Sequence, residues 1–214
     1  MKTRDRIIHS ATELFNDQGE PNITTNHIAA HLGISPGNLY YHFRNKEDII
    51  HSIFEQYANH LTASFTPWRN GENNLQDLMG YLDAIFYLMW QFRFFYANLP
   101  DILSRDELLQ QKYLKTQEQM RTTVFTLLNS LREGAFLTAN QDDLPDLGHA
   151  IKMVVTCWIP FQTAQAANAR ITKALLYQGV LRVLFLLKPY IHPQATEQYQ
   201  QLTQHYRQLT QSVE

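Results

Sequence analysis

Between residues 24 and 46 the chain reads TTNHIAAHLGISPGNLYYHFRNK, which fits two short helices separated by a tight turn. Thr24 suits an N-cap, because its hydroxyl can accept one of the N–H groups that a first turn leaves unpaired. Ile28, Ala29 and Leu32 then fall on one helical face. Gly33 follows at once, where glycine ends a helix in left-handed backbone. Ser35 caps a second helix with Pro36 at its first position, where no N–H is missed. Leu39 and Phe43, four apart, give that helix a core stripe. At about 100° per residue, Gly37, Asn38 and Tyr41 lie on the opposite face, with Tyr40 on the flank. Asn45 caps a third helix opening at Lys46. A small residue, a glycine four later and a leucine six after that is the spacing of a helix-turn-helix; an ordinary helical hairpin with polar caps meets the same pattern.

The rest of the chain bounds the classes available. With 214 residues there is ample material for a core. Lys and Arg number 18 against 20 Asp and Glu, so bulk charge gives no support for nucleic-acid binding. The local pattern is more useful: from His31 to Lys46 there are Arg44, Lys46 and two histidines without an acid, and Lys2, Arg4 and Arg6 add charge at the start. Small basic patches suffice where only a few phosphates are gripped. One cysteine, Cys157, leaves no internal disulfide framework and suits a reducing cytoplasm. The first ten residues lack the apolar core of a signal peptide. The longest apolar run, 84–90, is far short of the ~18 residues that span a bilayer. A soluble cytoplasmic protein without membrane contact is expected.

Nearly every segment reads helical, and the expected fold is all-α. The first helix runs over about 3–17, with Ile7, Ile8, Ala11, Leu14 and Phe15 on one face and Gly19 past its end. The fourth, about 46–65, carries Ile50, Ile53, Phe54, Tyr57, Leu61 and Phe65 in one stripe, and Thr66-Pro67 ends it. A loop follows over 68–74. The fifth, about 75–97, is apolar almost all round, as a buried helix is. It breaks at Asn98-Leu99-Pro100, before a short helix through Ile102. The seventh spans about 106–133. The eighth, about 144–169, holds Pro160, which should kink it. The ninth covers about 171–187, and a polar glutamine-rich helix over 193–210 closes the chain.

From about residue 4 to 54 the chain resembles the DNA-binding domain of the TetR family of bacterial regulators. The resemblance rests on Ile8, Ala11, Leu14, Phe15 and Gly19, then Thr24, Thr25, Ile28, Ala29, Gly33, Ile34, Ser35 and Gly37, and on Leu39-Tyr40-Tyr41-His42-Phe43 with Lys46 and Glu47. It implies a TetR-like architecture, with a three-helix DNA-binding domain over 1–46 and a helical effector-binding and dimerisation domain over 47–214. It also implies that the second helix of the motif enters the major groove of operator DNA. Asn38 and Tyr41 are then the expected base readers, with Gly37 permitting close backbone approach and Asn26 as a further candidate; asparagine suits bidentate contact with adenine. Thr25, Tyr40, His42 and Lys46 match phosphate-contact positions, and Lys46 opens a helix whose positive dipole end favours phosphate. Tyr41 as a partly buried core aromatic and His42 as a local cap are the competing readings.

Family members often carry a pocket for a small effector. Its expected lining is Phe86, Trp90, Phe94, Tyr113, Met120, His149, Met153 and Trp158, although aromatic stripes at helical spacing more often form core. Arg93, among aromatics, could bind a ligand carboxylate or pair with Asp101 or Asp106. Leu176, Val180, Val183, Leu184 and Leu187 form a stripe along the ninth helix, with Ala164, Ala166, Ala167 and Ala169 allowing close approach nearby. That stripe packs either within the chain or, as the resemblance implies, across a homodimer formed through 144–169 and 171–187.

Enzyme signals are poor: there is no G-x-S-x-G, Gly-rich phosphate loop or H-E-x-x-H. His27 and His31 have metal-ligand spacing but lack a nearby Cys, Asp or Glu to complete a site. No cofactor and no catalysis is expected. The expectation is a homodimeric repressor released from a palindromic operator by a small hydrophobic or amphipathic effector. The alternatives are a DNA-binding regulator controlled by a protein partner, or a helical ligand carrier or enzyme.

Overall fold

Local sequence accounts for how the first helices begin and end. A computed structural model describes residues 2–64, 75–165 and 170–212. Helix α1 (Thr3–Gln18) buries Ile7, Ile8, Ala11, Leu14 and Phe15 and stops at Gly19, which takes φ 82°. Helix α2 (Thr25–Leu32) starts on Thr24, whose hydroxyl accepts from the His27 N–H at 3.3 Å while His27 Nδ1 accepts from the Thr24 N–H. At its end Gly33 takes φ 66°, and the Ile34 N–H returns to the Ala29 carbonyl at 3.0 Å, a left-handed cap. Helix α3 (Pro36–His42) is capped by Ser35, and α4 (Lys46–Ser64) by Asn45, whose side chain accepts from the Asp48 N–H at 2.8 Å.

Six longer elements follow: α5 (Leu75–Gln91), α6 (Arg93–Ser104), α7 (Glu107–Glu133), α8 (Leu144–Thr163), α9 (Lys173–Leu187) and α10 (Thr196–Ser212). Among the described residues there is no strand, and the fold is all-α as expected; none of these helices is long and apolar enough to cross a membrane.

Three boundaries differ from the sequence reading. The fifth helix ends at Gln91, not Ala97, because the chain breaks at Phe92 (φ −118°, ψ 33°) and α6 starts afresh. The broken backbone groups find a partner in α1: the Asn16 side chain donates to the Gln91 carbonyl at 2.9 Å and accepts from the Phe94 N–H at 3.0 Å. Helix α6 then passes through Pro100 with a kink at Asn98 (φ −119°, ψ 15°). Helix α8 runs through Pro160 and ends at Thr163, earlier than residue 169. Ala166, Ala167 and Ala169 lie outside the described residues, as do Phe65, Thr66-Pro67 and the expected loop at 68–74.

Apolar packing forms two clusters. One is continuous from Ile7 through the α2–α3 unit and α4 to the aromatics of α6 and on to Trp158 and Leu176. Phe15 of α1 meets Phe94 at 5.2 Å between ring centroids. The other joins α5, α7, α8, α9 and α10 around Leu144, Leu184, Leu202 and Tyr206. Helix α10 is less peripheral than its polar composition implies. Tyr206 is fully buried and donates to Asp83 at 2.7 Å, and burial, with the carboxylate beside it, pushes its phenol well above the usual range.

Candidate nucleic-acid interface and adjoining cavity

The face opposite the Leu39–Phe43 stripe of α3 is bare. Leu39 and Phe43 are buried, whereas Gly37, Asn38 and Tyr40 are exposed and Tyr41 is 86% exposed. Tyr41 is therefore not a core aromatic. A Cβ on Gly37 would meet no atom closer than 4.0 Å, and Gly37 is not among the positive-φ residues. Neither packing nor backbone strain within the chain requires glycine there. Thr25 and Tyr40 share a hydrogen bond of 3.1 Å, which sets two hydroxyls side by side where α2 and α3 meet the surface. Asn26 is exposed in the first turn of α2, and His42, half-buried, stands edge-on to Tyr41 at 5.1 Å. Seven of the eight expected contacts thus share one surface region.

Lys46 is the exception. Its side chain is only 17% exposed and turns inward, with Nζ 2.7 Å from Oε1 of Glu20, whose side chain is fully buried. The distance is that of an ion pair, although the angles are not those of a hydrogen bond; Nζ does donate to the Glu20 carbonyl at 3.1 Å. Its ammonium is therefore held at Glu20 rather than turned outward with the other seven. Arg44, which the sequence reading noted only as local charge, is exposed, and its guanidinium has no partner among the described residues. The N-terminal cations divide likewise: Arg4 lies over Phe43 at 4.9 Å and donates to Ser52 at 2.7 Å.

His27 Nδ1 accepts from the Thr24 N–H in the α2 cap, and among the described residues no group of three or more His, Cys, Asp and Glu is placed for an ion.

Behind the α4 stripe lies an apolar cavity of about 80 Å³ between α4, α5, α6, α7 and α8. Tyr57 and Leu61 of α4 line it, with Phe95 and Tyr96 of α6, Tyr113 and Met120 of α7, and Ile151 and Val155 of α8. The Tyr57 and Tyr96 hydroxyls are 3.3 Å apart; burial raises the pKa of each and likewise that of Tyr113, so all three phenols are neutral donors at ordinary pH. A wider cleft of about 300 Å³ opens between α7 and the start of α8, lined by Arg121, Val124, Phe125, Leu144, Gly148 and His149. Val124 and Lys152 line both spaces.

Of the nine expected effector contacts, Tyr113 and Met120 line the cavity and His149 the cleft. The other six go elsewhere. Phe94 is core against Phe15. Phe86 stacks on Tyr177 with ring centroids 4.0 Å apart. Trp90 lies under Arg93, 4.3 Å away, and Arg93 pairs with Asp17 of α1 at 2.7 Å, not with Asp101 or Asp106. Trp158 is buried over Gly179 and donates to the Leu175 carbonyl at 2.7 Å, while Met153 is exposed on the outside of α8. The break at Phe92 changes the helical phase. It is Phe95 and Tyr96, not Phe94, that reach the cavity.

The apolar stripe of α9 packs within the chain and not, as the resemblance implied, across a homodimer. Leu176, Val180, Val183, Leu184 and Leu187 are all buried within this chain against α8, α5 and α10. The apolar side chains that α8 and α9 leave exposed include Met153, Cys157 and Phe161, each one turn apart, and Phe185, which is 62% exposed.

Residues 7–53 match the family model described as bacterial regulatory proteins, tetR family, and residues 56–199 match that of the bacterial transcriptional repressor TetR. The crystal structure of a TetR-family transcriptional regulator from Marinobacter aquaeolei VT8 superposes with a TM-score of 0.88 at 38% identity, covering 96% of this chain and 99% of that one. The uncharacterized HTH-type transcriptional regulator TtgW of Pseudomonas putida is 36% identical over 66 residues, 31% of this chain and 49% of that protein. An HTH-type transcriptional regulator of Staphylococcus aureus is 40% identical over 78 residues, 36% of this chain and 42% of that protein. The match thus spans less than half the length of these two curated relatives.

Proposed function

This chain belongs to the tetR family of bacterial regulatory proteins and is a DNA-binding transcriptional regulator, not an enzyme, and from that premise we propose that it acts in the cytoplasm as a homodimeric repressor that a small amphipathic effector releases from a palindromic operator. Residues 1–46 read the DNA, and residues 47–214 hold the effector and the dimer contact. The observation that carries the reading is the bare face of α3, where Gly37, Asn38 and Tyr41 are exposed without a packing role in their own chain. Asn38 and Tyr41 reach base edges and Gly37 lets the backbone close on the groove. Asn26 assists from α2, and Thr25, Tyr40, His42 and Arg44 hold phosphates.

Coupling follows from α4. Its first residue, Lys46, is anchored beside the α2–α3 unit, while Tyr57 and Leu61 line the cavity. A ligand that spreads the cavity tilts α4 and moves α3 with it. It releases DNA only by binding the incompetent geometry better, a coupling of about 1–3 kcal/mol in typical cases. The cavity and its cleft together approach the few hundred Å³ that small-molecule sites occupy. Dimerisation is assigned to the outer faces of α8 and α9, through Met153, Phe161 and Phe185. The test has two parts: light scattering at micromolar concentration, and selection of a duplex from random DNA. A dimer that enriches a two-fold symmetric site, with half-sites about 34–36 Å apart or a multiple, supports the reading. A monomer, or no enriched sequence, counts against it.

A further inference from the structure

Lys152 is set differently from the other cations around the cavity. It lines both the apolar space and the wider cleft. Arg121, which also lines the cleft, is engaged by Glu118 through Nε and Nη2. Among the described residues Lys152 makes neither a hydrogen bond nor an ion pair, and no carboxylate lines either space. Burial depresses its pKa despite the attraction of Glu118, the direction expected of an ammonium lacking a close counter-ion. Inward of it the walls are Leu61, Leu88, Phe95, Met120, Ile151 and Val155.

We infer that the ligand of this cavity is a monoanionic amphiphile, an apolar chain with one carboxylate head, whose head pairs with Lys152 where it borders both spaces while the chain lies along the aromatic and aliphatic walls. This deepens the effector reading above and rests on it. An ammonium is a compact point charge with three donors. Half-buried beside apolar walls, it attracts an anionic head more strongly than in water, and a neutral head of the same chain length forgoes that attraction. A cationic head meets the Lys152 ammonium with no acid in the lining to offset it.

The test is calorimetric titration of the full-length protein with decanoate, decan-1-ol and decyltrimethylammonium, all below their aggregation limits. Decanoate is expected to bind on the order of tenfold more tightly than the alcohol, with the ammonium weakest. Lys152→Met is expected to bring acid and alcohol within about twofold of each other, and Lys152→Arg to keep the preference. Val155→Trp, filling the inner space, is expected to abolish binding of both. Equal affinity for acid and alcohol in the wild type, a preference that survives Lys152→Met, or tighter binding of the ammonium would overturn the anionic head. If alcohol binding is still lost in Val155→Trp, the pocket reading stands without it. No binding of any probe overturns both.

Discussion

Arg105, at the end of α6, donates from Nη2 to Oε2 of Glu20 across 2.9 Å, and the other oxygen of that buried carboxylate faces Lys46 at the start of α4. One carboxylate therefore ties the helix-turn-helix to the helix whose aromatics wall the cavity. Lys46→Ala leaves Oε1 buried without a cation. The expected cost is about 3 kcal/mol in urea unfolding, the low end for a broken buried pair because Arg105 still holds the other oxygen. Unchanged stability with a uniform loss of DNA affinity would return Lys46 to a phosphate role.

Asn16 closes the break between α5 and α6 by serving a carbonyl and an N–H at once. Asn16→Ala leaves both unpaired and is expected to destabilise by about 1–3 kcal/mol. Asn16→Asp keeps the acceptor for the Phe94 N–H and loses the donor to Gln91, so its loss should be the smaller of the two. Equal unfolding midpoints for wild type and Asn16→Ala would remove the amide from the account of the break.

His51 Nε2 meets Asp106 Oδ2 at 2.7 Å, and Asp106 also caps α7 by accepting from the Leu109 N–H at 2.9 Å. Burial raises the Asp106 pKa, but the Leu109 N–H and His51 outweigh it and hold the carboxyl below its usual 3.8. A depressed carboxyl stabilises the fold above its unfolded pKa, and that stability is lost as pH falls through the lower folded value. The window therefore lies below about pH 4. Asp106→Asn keeps a capping side chain and removes the titration. Its stability is expected to fall less steeply than wild type between about pH 4 and 2, measured by urea unfolding at each pH.

Three helical glycines separate packing from function. A Cβ on Gly179 would stand 2.7 Å from Trp158 Cδ1, so Gly179→Ala is expected to destabilise by about 1–3 kcal/mol through overpacking. Gly80 has open space, and Gly80→Ala is expected to stabilise by about 0.5–1 kcal/mol. Gly37→Ala has space in the free protein too. It is expected to leave stability unharmed yet weaken operator binding, and unchanged binding would remove the close approach of α3 to DNA.

The DNA-facing helices were legible because each boundary has a local chemical cause: Thr24, Gly33, Ser35 and Asn45 act on near neighbours in the chain. The cavity was less so. Its lining depends on helical phase after Phe92, and that break is stabilised by Asn16, 76 positions earlier in the chain. The partners of Lys46 and Arg93, on Glu20 and Asp17, are tertiary pairings that charge alone does not select. The α9 stripe had the right periodicity for burial, but periodicity does not say whether the covering surface belongs to the same chain.

The central claim is that the exposed face of α3 reads bases. Its most direct test is the affinity of wild type and Asn38→Ala for the selected operator and for random duplex, each across a range of salt. The account predicts a loss of about 1–3 kcal/mol on the operator, little change on random DNA and an unaltered salt slope. Equal losses on both duplexes, or no loss on either, would contradict it.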